Sequence, residues 1–212
     1  MKIGFFDSGK GGTSVLDAVR ELLPDEEYMY VGDSKNCPHG EKTTEELMKI
    51  VRVNVDKLKD WGARIIVIAC NTATTRCIDE LRKLYPDLKF VGTEPAVKLA
   101  VMSGAKKVLI MATPGTIKSE RLMALIHDTE DDDLEFDLMA CPGLADAIEK
   151  DKNVDDVLEG LLRGAKGYDE VVLGCTHYSL IKDKIQKYFP NTKLIDGNNG
   201  VAKRVQQLIN ES

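Results

Sequence analysis

Short apolar runs alternate along the chain with longer segments of helical period. The runs Lys2–Asp7, Glu27–Val31, Arg64–Cys70, Lys89–Gly92, Lys107–Ala112, Leu134–Ala140, Glu170–Gly174 and Lys193–Ile195 predict strands. Between them stand segments such as Thr43–Lys59, where Leu47, Ile50, Val51, Val55 and Leu58 fall on one helical face. A parallel strand connection needs a crossover long enough to hold a helix, so this alternation implies parallel sheets covered on both faces. The predicted class is α/β.

The two halves echo one another. Ile65–Thr72 is an apolar strand ending in a small residue, a Cys and a polar cluster, followed by a helical pattern, and Val171–His177 repeats that grammar. Phe5-Phe6-Asp7-Ser8-Gly9 pairs in the same way with Ile110–Gly115. This predicts two similar parallel-sheet domains of the Rossmann or flavodoxin kind, facing each other across a cleft. The first spans residues 1–93 and is completed by a C-terminal helix within 198–212; the second spans 94–197.

Composition narrows the class. The 212 residues suffice for a real core, and a net charge of −6 lacks the basic face that nucleic acid requires. Asp131-Asp132-Asp133 is expected as a solvated loop. No run approaches the ~20 apolar residues that cross a bilayer. The N-terminus enters a strand at once, with no apolar leader behind its Lys. Five cysteines (37, 70, 77, 141 and 175) form no disulfide framework, so free thiols in a reducing, cytoplasmic compartment are expected.

In open parallel sheets, ligands bind beyond the carboxyl ends of the strands. Asp7-Ser8, Cys70-Asn71-Thr72, Thr113 to Thr116 and Cys175-Thr176-His177 all fall there. Each of Cys70 and Cys175 precedes a helical pattern, whose N–H groups favour a thiolate. His177 could tune Cys175, and Asp7 could serve Cys70. A single Cys closing an apolar strand is often only a small buried hydrophobe; a matched pair with polar neighbours is a site. Two thiols on opposite walls suit inversion of an α-carbon, where one face loses a proton to a thiolate and the other gains one from a thiol. Coupling would keep one ionised and the other protonated. No metal or cofactor is needed. Thr72, Thr74, Thr116, Thr176 and Asn71 offer substrate contacts, with helix caps as the bland alternative for each Thr, and Ser8 with Asp7 could take an α-ammonium.

These motifs resemble the glutamate racemase family, within the wider aspartate/glutamate racemase superfamily. The matching segments run in family order over nearly the whole chain: Phe6–Gly9 with Gly11-Gly12, Gly32-Asp33-Ser34, Pro38-His39-Gly40, Ala69–Thr74, Glu94-Pro95, Gly115–Ser119, Ala140-Cys141-Pro142 and Gly174–Tyr178. The resemblance implies Cys70 as the base for D-glutamate and Cys175 as the base for L-glutamate. It implies Asp7 and His177 as groups flanking the thiols, and Glu149 as a carboxylate beyond the Ala-Cys-Pro motif. Ser8, Asn71, Thr72, Thr116 and Thr176 resemble substrate contacts, as does the segment Pro38, His39, Gly40. A role in supplying D-glutamate to peptidoglycan and a homodimer are also implied.

Departures from the family are specific. His39 stands where Tyr is usual, Ser179 replaces a Pro, Gly143-Leu144-Ala145 replaces a more apolar run, and the stretch from Glu149 to Cys175 is short. They leave room for another acidic amino acid such as aspartate, or for a binding protein without turnover. Other readings are weaker. Cys37-x-His39 and Cys175-x-His177 hold metal-ligand types without structural zinc spacing. Gly9–Ser14 matches no nucleotide-binding spacing, so its glycines are expected to make a tight turn. Pyridoxal phosphate would leave the paired cysteines unexplained.

Overall fold

The computed structural model describes residues 1–129 and 134–211. The acidic run 131–133 lies outside the described residues. The first half runs β1 (Lys2–Asp7), α1 (Thr13–Leu22), β2 (Glu27–Gly32), α2 (Thr44–Asp60), β3 (Ile65–Ile68), α3 (Asn71–Leu84) and β4 (Lys89–Gly92). The second begins with α4 (Val97–Ser103), β5 (Lys107–Ala112), α5 (Pro114–Ile117), α6 (Glu120–His127) and β6 (Glu135–Ala140). It continues through α7 (Leu144–Glu149), α8 (Val154–Leu162), β7 (Glu170–Gly174), α9 (Thr176–Ser179), α10 (Lys182–Gln186) and β8 (Lys193–Ile195), and α11 (Asn198–Asn210) closes the chain.

Two four-stranded sheets result, ordered β2-β1-β3-β4 and β6-β5-β7-β8, with parallel pairing throughout. The side chains of β1 and β3 alternate between two cores, as a period of two requires. Phe6, Ile66 and Ile68 meet Leu47, Val51 and Leu58 of α2 and Ile78 and Leu81 of α3. Ile3, Phe5, Ile65 and Val67 meet Val15 and Val19 of α1. Val201, Ala202, Val205 and Leu208 of α11 join that second cluster, so the last helix lies on the first sheet. The second sheet is covered by α7 and α8 on one face and by α4 and α6 on the other. Each large apolar side chain withdrawn from water contributes about 1.5–3 kcal/mol.

Element ends differ slightly from the sequence pattern. β3 stops at Ile68 rather than Cys70: Ala69 N–H still bonds to Phe6 O at 2.8 Å, but Cys70, extended in backbone, already serves as the cap of α3. Thr43 precedes α2 as its cap: its hydroxyl accepts from Glu46 N–H at 3.2 Å, and the Glu46 carboxylate accepts from Thr43 N–H at 2.9 Å. Ile50 is only half-buried, its place in the core taken by Asn54 and Val55.

The strand order fixes where a ligand can sit. From β1 the chain crosses to β2 on one side and then returns to β3 on the other. The connections after β1 and β3 diverge, which opens a crevice at their carboxyl ends. The second sheet reverses in the same way between β5 and β7.

Candidate active site

Asp7 ends β1 and Cys70 lies just beyond β3, so both stand at the first crevice; Thr113 and Cys175 occupy the matching places beyond β5 and β7. The crevices face each other. Thr72 Oγ1 lies 2.8 Å from Thr113 Oγ1 and 3.3 Å from Thr116 Oγ1, and Thr176 donates to Asp7 Oδ1 at 3.3 Å. Thr113 caps α5 and Cys70 caps α3, its sulfur accepting from Ala73 N–H at 3.5 Å. Cys175 precedes the single turn of α9 and takes no capping bond.

Each thiol has an imidazole beside it. His177 Nδ1 lies 3.9 Å from Cys175 Sγ, and its Nε2 meets Glu149 Oε2 at 2.8 Å. Glu149, at the end of α7, also accepts from Lys10 N–H at 2.8 Å and from the Ser34 hydroxyl. On the other wall His39 Nδ1 lies 3.7 Å from Cys70 Sγ. The Ser8 hydroxyl stands near the Cys70 and Cys37 thiols and favours the charged form of each.

The glycine-rich loop after β1 is folded around carboxylates. Asp7 Oδ2 accepts from Gly9 N–H at 3.1 Å and Gly12 N–H at 3.0 Å, while Lys10 N–H goes to Glu149. Close approach explains the glycines: a Cβ on Gly11 would sit 2.6 Å from both the backbone N and Nδ1 of His177. The first domain's loop thus presses directly on the second domain's imidazole.

Burial decides the thiol chemistry, against the expectation from the helix ends. It pushes Cys70 up to about 12, with the Asp7 charge adding to it and the Ala73 N–H and Ser8 opposing. Cys175 is raised well above its usual value, first by burial and then by the charge of Cys70. The expected depression fails because desolvation of a closed site outweighs one N–H and a single helical turn. Both thiols are therefore protonated here, and the mutual coupling opposes simultaneous ionisation. Asp7 is likewise raised by burial, partly offset by His177 and by N–H groups of Gly12, Gly9 and Ser8. At Glu149 burial acts upward, but Ser34, Lys10 N–H and His177 together leave it lowered.

Most of the residues named from sequence converge here. Ser8, Asn71, Thr72, Thr116, Thr176 and His177 are buried around the two thiols. Pro38 leads into the turn His39–Glu41, and Gly40 lies against Thr113, where a Cβ would sit 2.8 Å from its Cβ. Thr74 does not join them: its hydroxyl donates to Ile68 O at 2.9 Å and accepts from Thr93 N–H at 3.0 Å, bracing β3 against the exit of β4. Sequence reasoning passed over Ser34 and Cys37. The Gly-Asp-Ser and Cys-Pro-His segments were visible, but only the fold brings them to Glu149. Among the described residues, Cys37, Glu149 and His177 place one ligand atom each within 4.8 Å of the others and could hold a metal ion, at the expense of the imidazole–carboxylate pair. The thiols are only 5% and 7% exposed, so the two walls are closed around them. An open cleft of about 920 Å³ borders the site at Gly40 and Gly115.

Comparison with known proteins agrees with this geometry. Residues 11–205 match the Asp/Glu/Hydantoin racemase family. The glutamate racemase of Ectopseudomonas mendocina (strain ymp) is 40% identical over 217 residues, covering 99% of this chain and 82% of that protein. The structure of Escherichia coli glutamate racemase in complex with L-glutamate and the activator UDP-MurNAc-ala superposes with a TM-score of 0.86 at 31% identity, covering 99% of this chain and 82% of that one. Glutamate racemase from Francisella tularensis in complex with D-glutamate gives 0.84 at 28% identity, covering 99% and 81%. With two thiols on facing walls and full-length similarity of this order, the chain belongs to the Asp/Glu racemase family, in its glutamate racemase branch.

Proposed function

We propose that this protein interconverts L- and D-glutamate without a cofactor, with Cys70 and Cys175 as the opposed acid and base. One observation carries this reading: each sheet contributes a thiol from its own crevice, and each thiol has its own imidazole within 4 Å. Proton abstraction and delivery on opposite faces of an α-carbon need two such groups on opposite walls. Cys70 takes the α-proton of D-glutamate while Cys175 delivers one to the other face, and the roles exchange for L-glutamate. His177, held by Glu149, serves Cys175. The hydroxyls of Ser8, Thr72, Thr116 and Thr176 and the amide of Asn71 hold the substrate, and Asp7 faces its ammonium.

The protein acts in the cytoplasm, supplying D-glutamate to peptidoglycan. The five free thiols and the glutamate racemase relatives support that setting. Among the described residues no helix is long and apolar enough to cross a membrane. A homodimer is supported by exposed apolar side chains on two contacting helices, Leu99 and Met102 on α4 and Met123 on α6; light scattering would give twice the 23.5 kDa chain mass. The domains divide at residue 93, with α11 (Asn198–Asn210) returning to the first.

Proton NMR in D₂O with D-glutamate, L-glutamate and aspartate tests the reaction. Exchange of the glutamate α-proton with inversion is expected, and Cys70→Ala and Cys175→Ala should each lose inversion by roughly 10²-fold or more. Faster inversion of aspartate would reassign the substrate. No exchange with any of them would leave a binding protein.

A further inference from the structure

We propose that His39 is the proton relay of Cys70, so that the first wall carries a thiol–imidazole–carboxylate series, Cys70–His39–Asp33, corresponding to Cys175–His177–Glu149 on the second. This rests on the two-thiol reading above and adds a residue to it.

The geometry is on both walls. His39 Nδ1 lies 3.7 Å from Cys70 Sγ, against 3.9 Å for His177 and Cys175. His39 Nε2 lies 4.0 Å from Asp33 Oδ2 and is itself buried without a hydrogen-bond partner. Asp33 is held in place by Asn36, whose Nδ2 donates to both carboxylate oxygens at 2.9 and 2.8 Å. The His39 ring stacks on Phe6, centroids 5.8 Å apart, which fixes its plane. An imidazole here differs from a phenol in one respect that matters: a second nitrogen lets a proton enter at one side of the ring and leave at the other.

The step balances without another reactant. As D-glutamate binds, the S–H bond of Cys70 breaks and the proton moves to His39 Nδ1, leaving its electron pair on sulfur. That thiolate takes the α-proton and is a thiol again, and His39 is left as imidazolium beside Asp33. His39 then loses that proton from Nε2 to water, while Cys175, left as thiolate, recovers one through His177. In the opposite direction Cys175 passes its proton to His177 and takes the α-proton, Cys70 gives its proton to the α-carbon, and the Cys70 thiolate recovers a proton from His39 Nδ1 as Nε2 takes one from water. Burial lowers His39 to about 4, against the pull of Asp33, and Lys42 and His177 act with burial. The ring is thus a neutral acceptor facing a protonated thiol, and charge separates only when substrate is bound.

The test uses glutamate deuterated at the α-carbon, as each enantiomer, with the native enzyme, His39→Gln, Asp33→Asn and His177→Gln. For His39→Gln, kcat/KM should fall roughly 10- to 100-fold. The isotope effect should rise from the D-substrate, where Cys70 abstracts, and fall toward one from the L-substrate. Asp33→Asn, which leaves the thiol–imidazole contact in place, should shift both in the same sense but less. His177→Gln should give the opposite pattern. A merely structural role would slow both directions without this asymmetry. Native isotope effects in His39→Gln and Asp33→Asn, or equal changes from both substrates, overturn the proposal. Inversion persisting at the native rate in Cys70→Ala would instead overturn the two-thiol reading beneath it.

Discussion

Thr176 of the second domain donates its hydroxyl to Asp7 of the first at 3.3 Å, and the hydroxyls of Thr72 of the first and Thr113 of the second share a hydrogen bond at 2.8 Å. Each bond joins a threonine one or two residues beyond a thiol to the opposite wall. Thr176→Val keeps the shape and removes the donor, leaving a buried carboxylate oxygen short of a partner. A loss of about 1–3 kcal/mol is expected in urea denaturation, together with a fall in kcat.

Asp7 and Glu149 should titrate stability in opposite directions. Asp7 is raised, chiefly by burial, so its contribution is present below the unfolded value of 3.8 and lost as pH climbs through the folded value. Glu149 is lowered on balance, because Ser34, Lys10 N–H and His177 outweigh burial; its contribution is present above 4.5 and lost as pH falls through the folded value. Urea midpoints from about pH 3 to 8 should therefore give Asp7→Asn a flatter profile than the native protein above pH 4. Glu149→Gln should be flatter below it.

Gly11→Ala places a methyl 2.6 Å from both the backbone N and the ring Nδ1 of His177 and 2.8 Å from Thr176 Oγ1, which leaves no room. Overpacking of this kind costs about 1–3 kcal/mol. The loop must retreat and His177 with it, so kcat should drop more than KM rises, while far-ultraviolet circular dichroism stays native.

Thr74 and Thr72 separate structure from substrate. Thr74→Val removes a buried hydroxyl that bonds both Ile68 O and Thr93 N–H, which keep their bond to each other at 3.1 Å, and should cost about 1 kcal/mol with kcat/KM nearly unchanged. Thr72→Val should do the reverse, raising KM for glutamate with the smaller loss of stability, because Thr113 and Thr116 keep their bond to each other at 3.1 Å. Equal kinetic effects would return Thr74 to the substrate contacts.

The strand grammar was legible because parallel strands buried on both faces must be apolar at every position, as Ile65–Ile68 are. The thiols were legible because strand ends are where crevices open. His177 was legible too, two residues beyond Cys175, but the imidazole beside Cys70 was not. Cys70 and His39 are 31 residues apart, and Ser34 and Glu149 are 115 apart. No local pattern encodes such pairs. Nor did the sequence show the direction of the thiol shifts, since helix starts can be read from composition but the depth of a cleft between two domains cannot. Thr74 misled for a related reason: a Thr one helical turn beyond Cys70 serves either the ligand or the neighbouring strand, and only the position of Thr93 decides which.

The two sheets share one strand order, β2-β1-β3-β4 and β6-β5-β7-β8. A substrate between them meets walls that are near copies, and a reaction between mirror-image molecules has an equilibrium constant of one. Handedness therefore has to be read as speed alone. The walls differ only in detail: the carboxylate behind His177 makes a 2.8 Å bond, and the one behind His39 stands 4.0 Å away. That inequality can make turnover faster from one enantiomer than from the other, but only with a compensating change in KM, because kcat/KM must stay equal in both directions.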